Sequence, residues 1–105
     1  MSSLYYSPEK FGLSVVGEAD AGGGYDFDKF VVWRRNYDGA ILWAEDSGCS
    51  CPSPFEDESV DTLKVGSVRD AINDLEVWVG DRDGYRYSDR RYAADQLRAV
   101  LEAIA

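Results

Sequence analysis

The sequence predicts an α+β domain: a small antiparallel sheet of three to four strands with two C-terminal helices packed on it. Three observations carry this. Short β-branched and aromatic runs, separated by Gly, Asn and Asp, fill residues 12–65. Helical spacing of apolar residues begins only after Ser67. Strands come first and helices last, which favours a meandering sheet over alternating βαβ units. Of the 105 residues, 45% are hydrophobic and 13% aromatic, enough for a real core in one domain spanning 1–105.

Residues 1–11 read as an irregular lead-in, anchored by Tyr5, Tyr6 and Phe11. Leu13 to Val16 lies between Gly12 and Gly17 and reads as the first strand. Gly22-Gly23-Gly24 has acidic flanks and no following Lys-Ser/Thr, so it is a plain turn rather than a phosphate cradle. Phe27 to Arg35 is the clearest strand. Phe27, Lys29, Val31 and Trp33 share one side; Asp28, Phe30, Val32 and Arg34 share the other. Apolar residues on both sides place this strand centrally in the sheet. Asn36-Tyr37-Asp38-Gly39 supplies a turn, and Ala40 to Glu45 returns with Ile41, Leu42 and Trp43. Glu58 to Val65 fits either a short strand or an extended connector.

Ser67 is an N-cap for a helix beginning at Val68, with Asp70 suited to its positive end. Val68, Ala71, Ile72, Leu75, Trp78 and Val79 form its apolar face, and Gly80 stops it. Asp81-Arg82-Asp83-Gly84 is a turn that lacks the remaining ligands of a calcium loop. Ser88 or Asp89 is expected to cap the last helix, which runs to about Ile104 and buries Tyr92, Ala93, Leu97, Val100, Leu101 and Ile104. Arg90 and Arg91 would then sit in its first turn, the unfavourable end for positive charge. Pairing with carboxylates of the acidic half would relieve that conflict.

The net charge is −9. Residues 1–62 hold twelve Asp/Glu against four Lys/Arg. Such a chain repels phosphate backbones, so direct nucleic-acid binding is not expected. No apolar run approaches the ~20 residues that cross a bilayer, and Met1-Ser-Ser-Leu lacks the pattern of a secretory leader. The expectation is a soluble cytoplasmic protein with no membrane contact. There is no histidine, which removes the commonest general base and metal ligand, and with it Ser-His-Asp and Cys-His catalysis within one chain. No cofactor and no catalytic residue is predicted. Tyr25, Tyr37, Tyr85 and Tyr87 fall in turns, where they suit either a recognition surface or scattered exposure.

Asp46 to Asp57 holds both cysteines and two of the three prolines, and it reads as a shaped loop. Loops on a rigid scaffold carry function. The candidate interaction residues are Asp46, Cys49, Cys51, Pro52, Pro54, Phe55, Glu56 and Asp57. Three readings stand for the Cys-x-Cys pair. Zinc needs four ligands, so carboxylates from Asp46, Glu56 or Asp57, or a second chain, would have to complete the site. A Cys49–Cys51 disulfide would close a small strained ring, and nearby acids disfavour the thiolate. The preferred reading is that both are small buried hydrophobes, with Pro52, Pro54 and Phe55 wedging the loop against the core.

The run Tyr25-x-Phe27-Asp28-x-Phe30-Val31-Val32-Trp33, followed by Asp46-Ser47-Gly48-Cys49-Ser50-Cys51-Pro52-Ser53-Pro54-Phe55-Glu56-Asp57, resembles a family of small actinobacteriophage proteins. The likeness covers about a third of the chain strongly. It implies a phage product acting in a bacterial host cytoplasm and brings no known activity. The expected function is a non-enzymatic protein–protein interaction module that modulates a host or phage partner. The alternatives are a DNA-mimic inhibitor of a nucleic-acid-binding protein, or a metal or thiol protein using the loop.

Overall fold

A computed structural model describes residues 4–22, 26–49, 54–55, 58–81 and 85–105. Four antiparallel strands lie side by side in chain order: β1 (Leu13–Asp20), β2 (Asp26–Arg35), β3 (Ile41–Cys49) and β4 (Lys64–Gly66). Helices α1 (Val68–Gly80) and α2 (Tyr85–Ile104) follow. This is the α+β arrangement expected from the order of patterns.

β2 is the spine. Phe27 to Trp33 are buried without a break, because β1 and β3 flank it and both faces are covered. Side chains alternate, so two separate cores form. On one face Phe30, Val32, Ile41 and Trp43 meet Ala71, Ile72, Leu75 and Trp78 of α1 and Leu97 and Leu101 of α2. On the other, Val31, Trp33 and Leu42 are covered by Leu4, Leu13, Phe55 and Leu63. The lead-in is therefore pinned by Leu4, fully buried, whose carbonyl accepts the Trp33 indole N–H at 3.2 Å. Of the three expected anchors, Tyr5 packs there, while Tyr6 and Phe11 are exposed.

The β2–β3 turn follows its sequence. Asp38 accepts from the Ala40 N–H and from the Arg35 guanidinium, and Gly39 takes a left-handed φ of 75°. α1 starts as expected, with Ser67 Oγ accepting from Asp70 N–H and Asp70 accepting from Ser67 N–H. Residues 60–66 resolve into a 3₁₀ turn (Val60–Thr62) and β4.

Three boundaries differ from the sequence reading. β1 runs on to Asp20 because a bulge between Val15 and Gly17 shifts its register and breaks the alternation. Gly17 lets α2 approach closely; a Cβ there would lie 2.9 Å from Leu97 Cδ1. β3 runs on to Cys49, so Asp46–Cys49, expected in the loop, is ladder paired with Asp26–Lys29. Turn propensity in Asp-Ser-Gly is overridden by backbone pairing to β2. α2 starts at Tyr85, before Ser88 and Asp89. Among its described side chains the buried ones are Arg90, Ala94, Leu97 and Leu101. Tyr92, Val100 and Ile104, expected inside, are exposed, and Ala93 is partly buried. The apolar pattern misled because a charged residue, Arg90, holds one of the inward positions.

Candidate functional site

Consecutive residues of β2 project to opposite faces, and Asp28 and Lys29 do so with opposite charge. Asp28 turns to the helices. Its carboxylate takes two hydrogen bonds from Arg90, Nε to Oδ2 at 2.7 Å and Nη2 to Oδ1 at 2.6 Å. Both side chains are about 95% buried. Arg90 also donates to the Trp78 carbonyl and lies over the Trp78 ring at 4.4 Å. Lys29 turns to the other face. Its ammonium reaches Asp20 at 2.8 Å and Glu18 at 3.7 Å, and sits 4.7 Å above the Tyr5 ring. Burial disfavours the Lys29 charge, but the Asp20 and Tyr5 contacts outweigh it and raise its pKa. Burial also opposes the Asp20 carboxylate, yet hydrogen bonds from Lys29, Gly22 N–H and Asp28 N–H hold its pKa below the ordinary value.

Most other described cations are spent in the same way. Arg35 is bound by Asp38, whose pKa its guanidinium lowers to about 2. Arg91 pairs with Glu76 and Asp95, and Arg98 approaches Glu76 and Glu102. The expected pairing of Arg90 with the acidic half is present through Asp28. Arg91 instead finds its acids on the two helices.

A groove between β3 and α1 is different. A cleft of about 540 Å³ is lined by Trp43, Lys64, Val65, Asp70, Asn73 and Asp74. It shares Trp43, Lys64 and Asp74 with a narrower recess bordered by Phe30, Ala44, Glu45 and Val77. Asp74 accepts the Trp43 indole N–H at 2.7 Å and Lys64 at 3.1 Å, which lower its pKa. Glu45, an exposed residue, has no cation within ion-pair distance among the described residues; desolvation on its inner side raises its pKa, with Arg90 and Lys64 acting against that from further off. Val77 projects from the outer side of α1 with 68% of its surface exposed. The groove thus combines an indole floor, an exposed aliphatic rim and three carboxylates, of which Asp74 alone has an ion-pair partner among the described residues while Asp70 accepts the Ser67 N–H.

The sequence-predicted loop divides. Cys51, Pro52, Glu56 and Asp57 lie outside the described residues. Cys49 is the last residue of β3. Asp46 accepts the Phe55 backbone N–H at 2.8 Å and so ties the loop back to the strand. Pro54 and Phe55 are buried. Phe55 meets Trp33 edge-on at 5.3 Å and stacks near Tyr5 at 6.3 Å. It does this with a φ of 62°, a backbone state that a bulky L-residue adopts only under constraint. Phe55 is therefore a plug for the second core and presents no ring to a partner. Among the described residues no group of three or more His, Cys, Asp or Glu is placed to hold a metal. No helix among them is long and apolar enough to cross a membrane. Tyr37 is exposed with Arg35 over its ring, and Tyr87 is exposed; Tyr25 falls outside the described residues, as does the side chain of Tyr85.

Sequence reasoning missed the groove. The available signal was Val77, an apolar residue out of phase with the buried stripe of α1, one turn after Asp74. No curated protein and no solved structure matches the chain. A family model matches residues 2–105, nearly the whole length, and on that ground the chain belongs to the family described as Domain of unknown function (DUF7574).

Proposed function

We propose that this chain is a non-enzymatic interaction module that binds and modulates a protein partner, host or phage, through the β3–α1 groove. The observation that carries the reading is the groove's composition: the exposed Val77 over the buried Trp43, beside Glu45, which has no ion-pair partner among the described residues, on a surface where most described cations already have carboxylate partners. An exposed aliphatic side chain ringed by charge suits protein recognition. The phage setting and the host cytoplasm rest on the Asp46–Asp57 signature and its resemblance.

Affinity capture from host lysate tests this. Wild type is expected to retain a specific protein that the surface variant Val77→Asp loses, with both variants equally folded by circular dichroism. Retention of nothing specific by wild type, or of the same protein by Val77→Asp, counts against it. Phe55→Ala is unsuited to this purpose because Phe55 is a core residue.

A DNA mimic is the weaker reading. Asp28, Asp38, Glu76 and Asp95 are bound to arginines, so less free negative charge remains to imitate a phosphate row. For a metal or thiol role of Cys49 and Cys51, elemental analysis and a thiol titration of untagged protein are the direct checks.

A further inference from the structure

We propose a second binding site, separate from the β3–α1 groove: a cleft under the start of α1 and the end of α2 that takes an aliphatic monocarboxylate. Arg34 receives the carboxylate, and Val15, Val16 and Ile104 receive the hydrocarbon chain. This goes beyond the interaction-module reading and does not rest on it.

The cleft grows out of the strand register. Arg34 continues the alternation of Phe30 and Val32, so it lies on the helix face of β2. Across the ladder it sits between Ser14 of β1 and Ile41 of β3. α1 begins above this row at Val68, and α2 ends above it at Ile104. The helix ends cover the row only in part and leave a cleft of about 460 Å³. That is within the range of about 300–1,000 Å³ usual for small-molecule sites.

Two features of the cleft have no partner in the fold. The first is aliphatic surface. Val16 and Val68 are partly buried at the margin of the helix-side core, whereas Val15 and Ile104 are 46% and 51% exposed. Val100 lies next to them beside Gly17 and is also exposed. Val100 and Ile104 are the positions of α2 whose pattern predicts burial, and no described element covers them. The second feature is Arg34. Lys29, Arg35, Lys64, Arg90 and Arg91 each meet a carboxylate. Arg34 has neither a hydrogen bond nor an ion pair among the described residues, and no Asp or Glu lines the cleft. Arg69 is also unpaired among the described residues but does not line it.

Together these features select the ligand. A guanidinium presents a planar fork of donors that matches a carboxylate bidentately. The Ser14 hydroxyl already donates to Asn36 Oδ1 at 2.7 Å, which leaves Arg34 as the donor at the floor. Only one cation lines the cleft, and the net charge of −9 opposes a dianion more than a monoanion. The N-terminal groups of α1 are closed to an anion by Ser67 and Asp70. A single negative charge on an aliphatic chain is what the lining matches.

The test uses the full chain and octanoate in about 0.15 M salt, where the Debye length is about 8 Å and distant acids are screened. Acetate and octanol are the controls, each carrying one half of the ligand. Binding is followed by NMR amide shifts. Octanoate is expected to bind saturably at one site and to move the amides of Val16, Arg34, Ile41 and Ile104 while leaving Val77 in place. Acetate and octanol are each expected to bind at least about tenfold more weakly. Arg34→Gln is expected to weaken octanoate about tenfold without changing octanol, and Arg34→Lys to weaken it less. Urea unfolding of Arg34→Gln should match wild type, since the side chain is exposed. Ile104→Ser is expected to weaken octanoate and octanol alike. No saturable octanoate shift at these residues overturns the proposal. So does octanol binding as tightly as octanoate, or wild-type octanoate affinity in Arg34→Gln. A dimer in sedimentation that Ile104→Ser dissociates also overturns it, because a second copy then fills the cleft. None of these outcomes bears on lysate capture through Val77, so the two readings fail separately.

Discussion

The two faces of the sheet solve the same problem in opposite ways. Each buries one charged residue of β2 beside a hydrophobic core. On the helix face the acid Asp28 is held by Arg90, sixty-two positions away on α2, with both side chains sealed from water. On the second face the cation Lys29 is held by Asp20 and Glu18 on the neighbouring strand, and those carboxylates keep more than a third of their surface exposed. The first pair joins distant elements and pays full desolvation; the second is a local, half-wet clamp. Loss of one partner should therefore matter far more on the helix face.

Arg90→Leu gives the largest expected effect. It strands a buried carboxylate and is predicted to cost about 3–5 kcal/mol in urea unfolding. Arg90→Leu with Asp28→Leu should recover much of that loss, because no buried charge is left alone. A double variant as unstable as the single one would show that the salt bridge is not the source. Phe55→Ala tests the second face's packing. Loss of the ring against Trp33 and Tyr5 is expected to cost about 3 kcal/mol, read by the same unfolding curve. Lys29→Met is expected to cost less, about 2 kcal/mol, since Asp20 and Glu18 remain partly hydrated.

Acid sharpens the contrast further. Asp20 has a folded pKa below its unfolded value, so its contribution is present above the unfolded pKa and is lost as pH falls through the folded one. Asp38 behaves alike, with loss between its ordinary 3.8 and about 2. Asp20→Asn should therefore flatten the acid limb of a stability–pH curve while lowering stability at neutral pH. An unchanged acid limb would remove the Lys29–Asp20 clamp from the account. Glu45 carries the smallest effect and the opposite sign. Its pKa is raised by burial, so its stabilising contribution belongs to low pH and is lost as pH rises through the folded pKa. Glu45→Gln at neutral pH is expected to leave stability unchanged or raise it by about 0.5 kcal/mol or less. A clear loss would mean that Glu45 has a structural partner.

Much of the scaffold was legible from local pattern. The unbroken burial of Phe27 to Trp33 follows from apolar residues on both faces of one strand. Asp38-Gly39 placed the hairpin, and Ser67 with Asp70 placed the start of α1. The candidate site was not legible in the same way. Asp46–Asp57 reads both as a recognition surface and as a loop wedged on the core by Pro52, Pro54 and Phe55; the wedge holds for Pro54 and Phe55, which are buried, and Asp46 is the tether of Phe55. Sequence chemistry marked Phe55 as a wedge but could not show which face of the sheet it covers, the one shared by Trp33 and Leu42. The groove escaped because its parts come from β3, β4 and α1, whose adjacency depends on strand order and on where β4 stops.

What the chain alone determined is the set of elements, since turn chemistry, capping and periodicity act over a few residues. What only the tertiary structure decided is the partner of each charge and the start of α2. Arg90 reads as a misplaced surface cation until Asp28 is brought beneath it. That contact is non-local, and its energy is the difference between desolvation and pairing, neither of which exists in the isolated sequence.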